Sequence, residues 1–174
     1  DIAKYNDGDV DNGQGGVEPR FIFDAVLARR VSAPSLIKQI CSSMHVMMFW
    51  SAGRMRFVQD RPQTPVMWIT NDHVIDGKFV YAGTGQREQY SHALVSFTDP
   101  ARGGAIAVEA EMRRAVLARQ GYSAKEVALL GCCRRSQARR HARWLLEKSD
   151  DRLFAVTWRA GLDYFADNPI RPGD

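Results

Sequence analysis

The sequence predicts an α+β fold, with helices packed on mostly antiparallel, mixed sheet. Three observations lead there. A strand–helix–strand order occurs near the start of the chain and again in its last third. Both candidate helices carry one broad apolar arc. Gly-rich irregular stretches separate the two units.

Residues 1–18 are polar and rich in Gly and Asp, which predicts a mobile lead-in loop. RFIFDAVLAR, Arg20 to Arg29, is dense in aromatic and aliphatic side chains and reads as a strand. Ser32 to Pro34 open a helix with Ser32 at the N-cap. On it Leu36, Ile37, Ile40, Cys41 and Met44 share the apolar arc, and Lys38 and Ser42 face away. HVMMFW and RMRFVQD form a hairpin around Gly53, with Met55 and Phe57 alternating against Arg54 and Arg56 as in a half-buried strand.

In the middle, Val66 to Thr70, Lys78 to Gly83 and His92 to Pro100 read as short strands. Ile106 to Glu111 is expected to pair back across the turn that runs from Asp99-Pro100 to Gly104. A short helix covers Met112 to Arg119 and stops at Gly121. In the last third, Lys125 to Cys132 reads as a strand, and Ser136 caps a helix reaching about Lys148. Arg152 to Leu162 is a further strand with Phe154, Val156 and Trp158 on one face. The expected organisation is a lead-in loop at 1–18, a first α+β unit at 19–123 and a second strand–helix–strand unit at 124–174. The PGD turn signal at 172–174 leads that unit toward a further strand, and DIAKYND opens without Met, so both ends read as cut from a longer protein.

Of the 174 residues, 45% are hydrophobic and 25% charged, which suffices for one ordinary domain or two small ones. The net charge of +4 is mild for a dedicated nucleic-acid binder. Arg outnumbers Lys by 19 to 5, which suits bidentate contacts to carboxylates but also follows from a GC-rich genome. No apolar run approaches the about 18 residues of a membrane span, and no secretory leader pattern opens the chain. Cys41, Cys132 and Cys133 form neither a disulfide framework nor a zinc pattern, so reduced thiols are expected.

Candidate sites are few. Asp7, Asp9, Asp11 and Glu18 have the ligand spacing of an EF-hand, but Asn12 stands where the loop needs Gly. Pro19 then blocks the helix that must carry the last ligand, so the calcium-loop reading is rejected and no metal is expected. The densest charge is Cys132 to Lys148. At 100° per residue, Ala138, Ala142, Leu145 and Leu146 form an apolar face, with Arg139, Arg140 and Arg143 grouped opposite near Glu147. These three arginines are interface candidates. A solvated face or a protein interface fits them better than nucleic acid, because no aromatic side chains interleave for base stacking.

For catalysis the signals are poor. His45, His73, His92 and His141 are scattered, with no metal-ligand spacing. Gly83-Thr84-Gly85 and Gly103-Gly104 lack the strand–helix context of a phosphate loop. Cys133 beside Arg134 has a neighbour that favours thiolate, yet a structural thiol at a strand end is the favoured reading. No catalytic residue, cofactor or small-molecule substrate is indicated. Two alternatives stay open: a basic nucleic-acid-binding module, and a cell-wall hydrolase using Glu109, Glu111, Asp163 and Asp167.

Several phrases in order resemble one family. They are GGVEPRF, FWSAGRMRFVQDRP, VIDGKFVY, FTDP, RQGY, GCCRRSQARRHARWLLEK and RPGD, between Gly15 and Asp174. Together they resemble the central hub region of the lambda-like phage tail-tip attachment proteins, also called host specificity protein J. A Thr or Ser often follows the Gly-Cys pair there, where this chain has Cys133. The resemblance implies a virion structural component made in the bacterial cytoplasm and placed in the tail. It implies contacts with other phage tail proteins and a homotrimer in the full-length protein, around a channel that DNA crosses only in transit. It also implies that receptor recognition lies in a distal region, and that GGVEPRF leads into a first strand.

Overall fold

The computed structural model describes residues 2–51, 53–83, 89–151 and 154–161. The core starts from the alternation in His92–Asp99 (β6), where Ala93, Val95 and Phe97 point to one face and are buried. Asp99 accepts the Ala101 amide at 3.0 Å, and Gly103 takes φ 66° to turn the chain back. Ala105–Met112 (β7) therefore pairs antiparallel with β6, from Asp99 opposite Ala105 to His92 opposite Met112. After Arg114–Gln120 (α3), which ends at Gly121, Ala124–Ala128 (β8) joins the other edge of β6 in parallel. The sheet order is β7-β6-β8.

Arg135–Asp151 (α4) lies across one face of this sheet. Its apolar line is the one the sequence predicts: Ala138, Ala142 and Leu146 are buried against Ala93, Val95 and Phe97, with Leu145 packed alongside. Small alanines let the helix approach the strands closely, and each large side chain buried here contributes about 1.5–3 kcal/mol. The fold class is α+β, as expected, with one parallel pair in a mostly antiparallel set. The sheet crosses the expected boundary at 123/124, because β8 hydrogen-bonds to β6. Residues 124–151 thus share packing with β6 of the preceding segment.

The N-terminal stretch is ordered rather than a loop. Ile2–Asn6 (α1) leads into Asp9–Asp11 (β1), which pairs antiparallel with Val17–Pro19 (β2). Arg20 to Arg29 is not a strand. The apolar density there faces no partner ladder; instead the buried Gln137 acts as a single rung. Its Nε2 donates to the Ile22 carbonyl and its Oε1 accepts the Ile22 amide, both at 3.1 Å. The Asp24 amide bonds the Gly131 carbonyl at 2.8 Å, and Phe23 lies so close that a Cβ at Gly131 would sit 2.5 Å from its ring. Val26, 93% exposed, then leaves the surface altogether.

Ala33–Ser43 (α2) follows with Ser32 at its N-cap, although the serine side chain makes no capping bond. Leu36, Ile37, Ile40, Cys41 and Met44 face inward and Lys38 and Ser42 outward, as predicted. Val46–Ser51 (β3) and Arg54–Gln59 (β4) form the expected hairpin. Phe57 is exposed on the face that also carries Trp50, so the expected half-buried alternation holds only at Met55. Val66 to Thr70 forms no strand; Trp68 is 82% exposed and the segment meets no ladder. Val80–Gly83 (β5) pairs antiparallel with Phe154–Thr157 (β9), so the strand after α4 joins β5 rather than β8. Val156 and Trp158 are partly exposed, with Trp158 near Phe79. Ser136 lies inside α4 and caps nothing; its hydroxyl is used elsewhere. The expected turn at 172–174 lies outside the described residues.

Candidate functional site

The arginine-rich helix α4 splits its arginines between two neighbours. Positions 135, 139 and 143 follow one another at one turn each and face β7. Arg135 Nε reaches Glu109 at 2.7 Å, and Arg139 and Arg143 share Glu111. Arg140 is rotated away from them, with Nη1 on Glu18 at 2.6 Å and Nη2 on the Arg20 carbonyl at 2.9 Å. The three candidate arginines therefore do not form one stripe. Their acidic partners are Glu111 and Glu18, on other elements.

Glu18 joins the N-terminal hairpin to α4. It accepts from Ser136 at 2.6 Å and from Arg140, with Arg134 at 3.5 Å. Burial pushes its carboxyl upward, but the hydrogen bonds from Ser136 and Arg140 and the nearby arginine charges outweigh this, leaving it below the ordinary value. Strand pairing sets Glu18 opposite Val10, so it points to the face away from Asp9 and Asp11. Asp11 Oδ1 accepts the Gly13 amide at 2.7 Å, and Asn12 Oδ1 accepts the Gln14 and Gly16 amides. Asp9, Asp11 and their neighbours thus build a tight hairpin turn, and Asp7 is exposed at its start. Among the described residues no group of three or more His, Cys, Asp or Glu side chains converges as metal ligands would.

Two of the scattered histidines meet. His45 Nε2 lies 2.9 Å from His141 Nδ1, and the His45 ring stacks on Trp144 at 3.9 Å with Phe21 against its edge. The His45 backbone is left-handed (φ 55°), which turns the ring inward at the start of β3. Burial lowers the His45 pKa to about 3, aided by the charges of His141 and Lys148, and burial lowers that of His141 to about 4. Both are neutral near pH 7. A contact between positions 96 apart leaves no spacing signal in a sequence.

Trp144 Nε1 donates to Asp60 Oδ2 at 3.1 Å, and Lys148 Nζ binds the same oxygen at 3.1 Å. These groups edge a cleft of about 400 Å³ between α4, the Tyr5–Phe21 side of the N-terminal segment and the chain leaving β4 at Asp60–Pro62. Sequence reasoning missed it, since its walls come from three distant segments. On the face of the β7-β6-β8 sheet away from α4, Ile106, Val108 and Met112 are exposed beside Leu94, with Tyr122 over His92, and no described element packs on them.

Of the remaining candidates, Glu109 and Glu111 are each held by arginine, and Asp163 and Asp167 lie outside the described residues. Cys41 and Cys132 are buried, which raises both thiol pKa values, and Cys133 Sγ meets the Asp24 carbonyl at 3.5 Å. Gly103-Gly104 serve the β6–β7 turn, and Thr84 and Gly85 lie outside the described residues. No described helix is long and apolar enough to cross a membrane.

Ion pairs thus tie α4 to β7 and to the N-terminal hairpin. Residues 32–174 match the family model described as "Putative phage tail protein", and the chain belongs to that family. It is similar to Tip attachment protein J of Escherichia phage SECphi27, with 35% identity over 159 residues, 91% of this chain and 13% of that protein. It is also similar to Tip attachment protein J of Escherichia phage SECphi4, at 31% identity over 146 residues, 83% of this chain and 13% of that protein. The chain thus spans about 13% of the length of the curated relatives it matches.

Proposed function

We propose that this chain is a structural piece of a phage tail tip that acts through protein–protein contact and carries out no reaction of its own. The observation that carries this reading is the exposed apolar row Ile106, Val108 and Met112 along β7, on the face of the sheet away from α4, in a chain of tail-protein ancestry. An exposed face of this kind is usual where another protein surface covers it. Similarity to proteins named for tip attachment supports a tail location, neighbouring tail proteins as partners, and assembly after synthesis in the bacterial cytoplasm. The full-length protein works as a homotrimer on this reading, and DNA is a passenger through the channel. Arg139 and Arg143, about half exposed while sharing Glu111, are the part of the arginine set free to meet a neighbour's carboxylates.

The test uses the full-length tail protein in a phage. Ile106→Lys with Val108→Lys should reduce the yield of assembled tails seen by electron microscopy, and Arg139→Ala with Arg143→Ala should reduce it less. Normal tail yield with the lysine pair would overturn the reading. So would turnover of cell-wall material by the purified chain.

A further inference from the structure

The cleft beside α4 holds chemistry that packing does not use. Its walls present Arg20, Arg61, Arg140 and Lys148 against the acids Asp60 and Glu147. Lys148 is paired with Asp60, and Arg140 with Glu18. Arg20 and Arg61 make no ion pair among the described residues. Both lie over the ring of Tyr5, at 4.2 and 5.6 Å from its centroid. A guanidinium resting on an aromatic face is held in orientation while its in-plane N–H groups remain directed outward. The buried Nε atoms of Arg20 and Arg140 have no acceptor among the described protein groups. Both Nε atoms are closed to solvent, so a ligand entering the cleft meets the terminal Nη groups instead.

We propose that this cleft is a docking site for an acidic segment of a partner protein, with one carboxylate received by Arg20 and Arg61. The planar fork of arginine matches a carboxylate in bidentate fashion. The apolar walls of Tyr5, Phe21 and Trp144 suit the rest of a peptide. A nucleic-acid strand fits less well. Its closely spaced phosphates would meet Asp60 and Glu147, and one face of Trp144 is already covered by His45, which leaves less ring for base stacking. The proposal takes from the assembly reading only the choice of a protein as ligand; the cleft is not part of the exposed sheet face.

The 174-residue chain, labelled with ¹⁵N, is titrated with an acetylated oligoglutamate peptide at low ionic strength, following arginine Nε–H signals and heat. Saturable binding that moves the Arg20 and Arg61 signals is expected. Arg20→Ala and Arg61→Gln should each weaken it about tenfold, with the amide spectrum otherwise retained. Arg61 follows β4 in an irregular segment, so R61Q keeps the test decisive if R20A does not fold. Arg139→Ala with Arg143→Ala should leave the affinity within about twofold, since exposed charges at that distance are screened. Four results would each overturn the proposal. These are no binding, equal weakening by R139A/R143A, equal affinity for inorganic phosphate, and tighter binding of a single-stranded oligonucleotide at the same arginines. A failed titration with tail assembly still lost in the lysine variants would discard the cleft alone and keep the assembly reading.

Discussion

On one face of the β7-β6-β8 sheet, Ala93, Val95 and Phe97 lie under α4 in a closed core. On the other, Ile106, Val108 and Met112 face outward. The same strands supply both faces, yet β7 distributes its residues against simple expectation. It turns Glu109 and Glu111 toward the helix and its larger apolar side chains away from it. Register with β6 fixes this, because Glu109 lies opposite Val95 and Glu111 opposite Ala93. The carboxylates are tolerated on the helix side because Arg135, Arg139 and Arg143 meet them there. One face is thus closed by apolar packing with a charged margin, whereas the other mixes Leu94, Ile106, Val108 and Met112 with His92, Ser96, Thr98 and Glu126, with nothing described above it.

Substitution on each face should separate these roles. Phe97→Ala opens a cavity under α4 and should cost about 3–5 kcal/mol in urea unfolding. A cost near zero would mean that the covered face does not hold the fold together. Acid should come next. His45 and His141 have folded-state values of about 3 and about 4, against 6.5 unfolded. Below about pH 6.5 the unfolded chain takes up protons that the folded one refuses, so stability should fall from there down to about pH 4–3 and stay flat in this respect above. Asp60, Lys148 and Trp144 face the pair, and Lys148 adds to the penalty on charging it. Replacing both histidines should flatten that stretch of the stability-against-pH curve. A curve of unchanged slope would refute the assignment.

Glu18→Ala removes the acceptor shared by Arg140 and Ser136 and should cost about 1–3 kcal/mol. Hydrogen exchange should then quicken across β1 and β2 while β6 stays protected, and uniform loss of protection would show the hairpin to be part of the core instead. The smallest effect belongs to the exposed face. The lysine pair at Ile106 and Val108 should change the stability of this chain by no more than about 0.5 kcal/mol per site. A large loss would mean that this face is already packed.

Much was legible from the residues alone. Short-range patterns gave α2 and its inward arc, the β3–β4 hairpin at Gly53, the β6–β7 pairing across Asp99 to Gly104, and the apolar line of α4. Each depends on periodicity or turn chemistry within a few residues. Arg20 to Arg29 and Val66 to Thr70 misled because apolar content marks a segment as strand-like without supplying a neighbour to bond with. Serine at 136 misled because a hydroxyl near a helix start can cap or can reach across, and Glu18 decided which.

The order of residues by itself determined the α+β class, the covered side of α4 and, through ordered phrases, the tail-protein ancestry. Those are local or linear properties. Only the tertiary structure decided which face of the sheet the helix covers, that the arginines divide between Glu18 and Glu111, and that His45 meets His141 beside a cationic cleft. Each of these depends on contacts between residues far apart in the chain. Such contacts form only where packing brings distant segments together, and no spacing in the sequence encodes them.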